Sequence, residues 1–300
     1  MTPVKHSEEA TVKANNIDIV YDTFGEPSAS PLLLIIGLAT QMIRWEEAFC
    51  QQLAELGYWV IRFDNRDMGL STKFDEADVP DVMVLMQAFQ QGETIEVPYT
   101  LLDMANDTIG LLDALKIETA HVLGISMGGM IAQTIAIHYP ERVRTLTSIM
   151  SSTGSPEFLI PPDPEAIALL TTPPPVDREE NIEYTVQMWR LLNGPKFPFD
   201  ETYFRDYAAR AYDRNFYPAG TARQLAAIIA SGSRKEALKT VKVPTLVIHG
   251  NADPLVPVEG GIDTAEVIPG AELKIIEGMG HSIPTQVAPQ IIEAIKRHAV

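Results

Sequence analysis

Ser126, Asp253 and His281 lie far apart in the 300-residue chain, yet together they have the residue types that activate a hydroxyl group. A serine hydroxyl is a poor nucleophile at neutral pH until a histidine takes its proton, and the imidazole needs a carboxylate to fix its tautomer and steady its positive form. Ser126 stands at the centre of GISMG, a match to G-x-S-x-G. An apolar, strand-like run (AHVLGI) precedes it and a helical run (MGGMIAQTIAIHY) follows at once, which is the setting that motif requires. A chain reversing at Ser126 needs small neighbours, and Gly124 and Gly128 remove the β-carbons that would collide. The hydroxyl then sits at a helix N-terminus, where free N–H groups favour developing negative charge.

Six histidines compete for the role of base. His6 and His298 lie near the chain ends, in mobile or surface positions. His121 opens the strand that leads to Ser126 and belongs at its far end, and His138 lies down the following helix. His249 ends an apolar run in LVIHGNADP and reads as a partly buried structural residue. His281 remains: it follows the last apolar run in IEGMGHSIP, in a loop that returns to the carboxyl edge of a sheet. For the acid, HGNADPLVP supplies Asp253 just past a strand end, with Pro254 and Pro257 stiffening the loop. Asp253 could equally serve as a turn residue before proline, and the two roles are compatible. Glu277 and Asp263 are weaker candidates. The chain order Ser, Asp, His is one of three known orders for such a set.

The elements that would carry these residues are short apolar runs near residues 17–23, 31–36, 58–63, 120–125, 145–150, 244–249 and 271–276. Several are apolar at consecutive positions, as strands covered on both faces are. Helical patterns alternate with them. IRWEEAFCQQLAELG reads as a helix ending at Gly57, and YTLLDMANDTIGLLDALK as a helix turning Asp103, Asp107 and Asp113 to water. The alternation predicts an α/β fold with a mostly parallel, doubly wound sheet. It fails between residues 151 and 233, where proline clusters give way to aromatic-rich helical patterns. The expected organisation is a core of residues 1–150 and 234–300 with an inserted helical cap, 151–233, whose apolar underside covers a pocket. A second insertion, DEADVPDVMVLMQAFQQGETIEVP, carries a Met-rich stripe that reads first as packing and second as an entrance lining.

These motifs resemble the α/β-hydrolase superfamily from about residue 17 to 299, the cap excepted. FDNRDMGLST is similar to the family's Asp-x-Arg…Gly-x-Ser loop, here Asp64, Arg66, Gly69 and Ser71, which is usually structural. HYPERV and PTLVIHGNADPLVP match as well, and SMGGMIAQ, NRDMGLST and GMGH resemble lidded esterases of the aclacinomycin-methylesterase type. The resemblance implies a serine hydrolase acting on carboxylic esters through an acyl-enzyme, with the backbone N–H groups of Met127 and Leu38 as oxyanion donors. Ile36 stands where many members carry histidine, but a backbone donor does not depend on that side chain. Haloalkane dehalogenases and epoxide hydrolases of this fold need a carboxylate nucleophile, which Ser126 excludes, and an aminopeptidase would show tryptophan after the serine. Perhydrolases, lactonases, thioesterases and carbon–carbon bond hydrolases share the same residues and stay open, as does a non-catalytic binding protein.

Composition narrows the partners. A net charge of −17 disfavours nucleic acid. The single cysteine, Cys50, forms no internal disulfide and reads as a buried thiol. The polar N-terminus has no secretory signal and no apolar run is long enough to span a membrane, so a cytoplasmic protein is expected. The expected partner is a small-molecule ester with an apolar group. No metal or organic cofactor is called for, and the oligomeric state is open.

Overall fold

In a computed structural model, residues 4–91, 93, 96–156 and 163–299 are described. Eight strands form one sheet: β1 Ala10–Ala14, β2 Ile17–Phe24, β3 Ser30–Ile35, β4 Tyr58–Phe63, β5 Ala120–Ile125, β6 Val143–Ile149, β7 Thr245–Gly250 and β8 Glu272–Ile276. Their order is β1-β2-β4-β3-β5-β6-β7-β8; the β1–β2 and β2–β4 pairs are antiparallel and the remaining pairs are parallel. The parallel strands therefore end on one edge, with β5 near the centre.

The helices are α1 Glu47–Glu55, α2 Val82–Gln90, α3 Leu101–Ala114, α4 Met127–His138, α5 Pro164–Thr171, α6 Arg178–Leu192, α7 Glu201–Arg214, α8 Pro218–Ser231, α9 Lys235–Leu238, α10 Val258–Val267 and α11 Ala288–His298. Consecutive apolar residues in β3 serve two cores. Leu33 and Ile35 join Ile109, Leu112 and Ile131 from α3 and α4 on one face. Leu32 and Leu34 join Phe49, Leu53, Ile291 and Ile295 from α1 and α11 on the other. This is why the run lacks alternation: both faces of a doubly wound sheet exclude water. Cys50 is fully buried in the second core, and burial pushes its thiol up to about 12, so it packs and does not react.

Several elements differ from the sequence reading. β1, ATVKA, is short and mostly exposed and mixes Thr and Lys with Ala and Val, so no apolar run marks this edge strand. The helix placed over IRWEEAFCQQLAELG starts only at Glu47; Met42–Arg44 is a separate 3₁₀ turn and Trp45 is extended. Asp107 does not face water. It lies 2% exposed, accepting from Arg66 Nε at 2.6 Å and Nη2 at 2.7 Å and from Asn15 at 2.8 Å. Asp103 closes a capping box with Thr100 at the start of α3.

Helices α5 to α8 lie between β6 and β7 in the chain; α5 to α7 build small clusters around Trp189, Phe204 and Tyr207 and around Ile182, Val186 and Ala208, while Ala227 of α8 joins the first sheet core. The loop after β4 ties them to the sheet. Asp64 accepts from the Met42 amide at 2.8 Å and from Arg214 of α7 at 2.7 Å. Asp67 receives Arg223 of α8 at 2.8 and 3.0 Å and the Tyr99 hydroxyl at 2.7 Å. Gln224 donates to the Arg66 carbonyl at 2.9 Å. The Asp-x-Arg…Gly-x-Ser loop is thus the joint between the sheet and the helical insertion.

Two stability measurements follow from these buried charges. Arg223 and Asp67 are 1% and 0% exposed, so Arg223→Met strands a carboxylate in the interior and is expected to cost about 3–5 kcal/mol in urea unfolding. His121, buried beside Tyr58 and Thr145, is held neutral: burial foremost, then the charges of Arg144 and His298, lowers it from 6.5 to about 4. The unfolded chain takes up this proton before the folded one. The stabilisation is complete above pH 6.5 and drains away as pH falls toward 4, so the slope of stability against pH in that window should flatten in His121→Gln.

Candidate active site

At the end of β5 the backbone turns so sharply that Ser126 adopts φ 53° and ψ −122°, a conformation L-residues avoid, before α4 begins at Met127. The turn is possible because strand and helix touch. A β-carbon at Gly124 would run into the Gly128 carbonyl, and one at Gly128 into the carbonyl of Ile35. The Ser126 amide is tied to the Ile149 carbonyl of β6 at 2.9 Å, which fixes the turn against the sheet.

His281, in the loop after β8, brings Nε2 to 2.9 Å from Ser126 Oγ. Its Nδ1 lies 2.7 Å from Asp253 Oδ2, in the loop after β7. With Nδ1–H donating to the carboxylate, Nε2 is left with a lone pair facing the serine hydroxyl, so one line of hydrogen bonds joins the three residues. Asp253 is itself fixed: Oδ1 accepts the amides of Leu255 and Val256, both at 2.9 Å. Burial by itself would raise this carboxyl; the His281 charge and hydrogen bond, with the His249 ring close by, outweigh it and hold the group well below the usual carboxylate range.

The loop after β3 closes on the serine from the other side. A β-carbon at Gly37 would lie 3.2 Å from the Ser126 β-carbon. Leu38, next in the chain, and Met127, the first residue of α4, both line the cavity that holds Ser126 and His281. Among the described residues neither amide has a hydrogen-bond partner, so both N–H groups are free for a ligand oxygen. The adjacent Ala39 amide is taken by Gln224 Oε1 at 3.3 Å.

Residues 30–285 match the family model described as the alpha/beta hydrolase fold. The chain belongs to the α/β-hydrolase family. It is 31% identical over 96% of its length to rhodomycin D methylesterase DauP of Streptomyces sp. strain C5, covering 96% of that protein. It is 32% identical to rhodomycin D methylesterase DnrP of Streptomyces peucetius, over 91% of this chain and 92% of that one. Among solved structures, the meta-cleavage product hydrolase CumD of Pseudomonas fluorescens IP01 superposes with a TM-score of 0.75 at 20% identity, covering 97% of each chain.

The other titratable candidates in this hydrolase sit elsewhere. His121 and His138 occupy the start of β5 and the end of α4, away from Ser126 along each element. His6 and His298 are more engaged than terminal positions promised: His6 stacks on Phe24 and meets Asp22 at 2.9 Å, and His298 Nε2 lies 3.1 Å from the Leu146 carbonyl. Asp263 is occupied by Thr153 and Lys235, and Glu277 is an exposed partner of Lys196. His249 is fully buried where partial burial was expected. Its Nε2 donates to the Val256 carbonyl at 2.8 Å and lies 3.5 Å from Asp253 Oδ2, so it stands behind the acid. The i, i+4 spacing of His249 and Asp253 across a strand end was the one signal in the sequence for that contact.

Ser126 opens into a cavity of about 910 Å³, near the upper end for small-molecule sites. Its walls come from both parts of the chain: Met130 and Met150 from the sheet side, Met188, Trp189 and Leu192 from α6, and Leu225, Ile228 and Ile229 from α8. Met86 of α2 joins them, so the Met-rich insertion contributes to the wall as well as packing on α8. Among the described residues no three His, Cys, Asp or Glu side chains gather as a metal site requires, and no helix is long and apolar enough to cross a membrane.

The backbone at Ser126 has a measurable consequence. Glycine tolerates this conformation and alanine does not, so Ser126→Gly should be more stable than Ser126→Ala, by on the order of 1 kcal/mol in matched thermal melts. Equal melting points would show that the turn carries no strain.

Proposed function

We propose that this protein is a serine hydrolase of carboxylic esters, with Ser126 as nucleophile, His281 as base and acid, and Asp253 as the carboxylate that orients it. The observation that carries the reading is the unbroken line Ser126 Oγ, His281 Nε2, His281 Nδ1, Asp253 Oδ2, at 2.9 and 2.7 Å. His281 takes the hydroxyl proton as Ser126 attacks the ester carbonyl. The carbonyl oxygen, now negative, receives the free amides of Met127 and Leu38, and α4 points its N-terminus at the same place. His281 returns the proton to the departing alcohol, leaving an acyl-serine. Water then attacks the acyl carbon and gives its proton to His281, which passes it to Ser126 Oγ as the acyl–serine bond breaks and the acid leaves.

Residues 151–233 act in this reading as a cap over a core of residues 1–150 and 234–300. Support comes from the cavity, whose walls combine Ser126 and His281 with Met188, Trp189 and Leu225 of the inserted helices. The apolar wall and its volume fit an ester with one large apolar part. Two relatives above 30% identity that span nearly the whole chain bear the name methylesterase, which favours a small alcohol as leaving group and the bulky part on the acid side.

The test is direct. A fluorophosphonate probe should label the parent protein at Ser126 and leave Ser126→Ala unlabelled. Hydrolysis of p-nitrophenyl and methyl esters should fall by about 10⁴-fold or more in that variant while its fold is retained. Near-parental turnover by Ser126→Ala would refute the assignment.

A further inference from the structure

One charged side chain in the cavity wall has no part in this chemistry. Arg44, at the end of the turn after β3, is 7% exposed. Its guanidinium carbon lies 4.5 Å from the ring centre of Trp189, 5.2 Å from Phe204, 5.8 Å from Tyr207 and 6.0 Å from Tyr203, all from α6 and α7. Ring faces attract the cation and hold it in place, but they do not satisfy its in-plane N–H groups as oxygen acceptors would.

Those donors are poorly served. Nη1 reaches the Tyr203 hydroxyl only at 3.5 Å, the limit of a hydrogen bond, and the nearest carboxylate, Glu46, is 4.0 Å away with its side chain 28% exposed. Nε is buried with no acceptor, and Nη2 has none among the described residues. Trp189, against which the guanidinium stacks, also buries an indole N–H without an acceptor. The other buried arginines are satisfied. Arg62, Arg66 and Arg223 each grip one carboxylate with two nitrogens. Arg234 has oxygen acceptors on Gln133, Gly232 and Ser152 at 2.9 to 3.2 Å. Arg44 is the exception, and both it and Trp189 line the cavity that holds Ser126.

A buried cation short of acceptors costs free energy, while its fixed position is what a charge-assisted hydrogen bond exploits. We propose that Arg44 is a substrate-recognition residue that binds an anionic oxygen group, a carboxylate or phenolate, on the large apolar part of the substrate. The inference rests on the ester-hydrolase reading and narrows it to esters that carry a second, acidic function remote from the scissile bond.

The experiment compares matched esters. One series comprises p-nitrophenyl half-esters of dicarboxylic acids of increasing length; its control is p-nitrophenyl alkanoates ending in methyl. A second pair of series places the carboxylate, or the methyl, on the alcohol. In at least one length of one series, the ratio of kcat/KM for the acidic ester to that for its neutral match should fall about 10–100-fold in Arg44→Met. Arg44→Lys, which keeps the charge and loses the planar fork, should retain part of the preference. A ratio unchanged at every length, with both substrates declining together as the melting point drops, would make Arg44 a strut between turn and cap and overturn the proposal. Should the protein hydrolyse no ester, the function reading fails separately, and calorimetric titration of Ser126→Ala with dicarboxylic acid monomethyl esters still judges Arg44. Binding weakened about 10–100-fold in Ser126→Ala/Arg44→Met supports the proposal; equal binding, or none by either protein, overturns it.

Discussion

The contact between β5 and α4 is the constraint from which the rest of the site follows. Two backbones meet where Gly124 and Gly128 carry no side chains, and the chain between them has no relaxed way to turn. Ser126 absorbs the strain at φ 53°, and its hydroxyl is lifted clear of the sheet edge beside the first free amide of α4. A hydroxyl on a relaxed loop could sample many orientations. Here a central parallel strand and a buried helix hold one oxygen in place.

The partners reach that oxygen because parallel strands end together. β7 and β8 lie to one side of β5 and deliver Asp253 and His281; β3 lies on the other and delivers Gly37 and Leu38. Each loop is stiffened by its own hydrogen bonds. Asp253 is held by the amides of Leu255 and Val256 and backed by His249, and His281 donates its backbone N–H to the Leu192 carbonyl at the end of α6. That last bond makes the inserted helices part of the scaffold that holds His281.

The same coupling runs through the loop after β4. Asp64 joins the Met42 amide to Arg214, Asp67 holds Arg223, and Gln224 bridges the Arg66 carbonyl to the Ala39 amide beside Leu38. Buried ion pairs of this kind contribute little net stability, because desolvation offsets the attraction, but their geometry is unforgiving. They set where α7 and α8 sit over the sheet, and so the shape of the cavity.

The sequence by itself determined the tight turn at Ser126, the parallel part of the sheet and the order of the three residues, because each is local: G-x-S-x-G between a strand-like and a helical run, both-face apolar strands, and loops that carry Asp253 and His281. It also placed the helical insertion, where proline and aromatic clusters interrupt the alternation. Only the tertiary structure decided the pairings across the chain. Asp107 reads as a surface residue by helical spacing, but its helix packs against the loop that carries Arg66, and a buried guanidinium claims it. Helical or strand periodicity reports how one element repeats, not which neighbour its polar side chains will meet. For the same reason His249 could not be seen to back Asp253, nor Arg44 to stand among four aromatic rings from two other helices. Those contacts depend on how separate segments pack, and no spacing within any one of them encodes it.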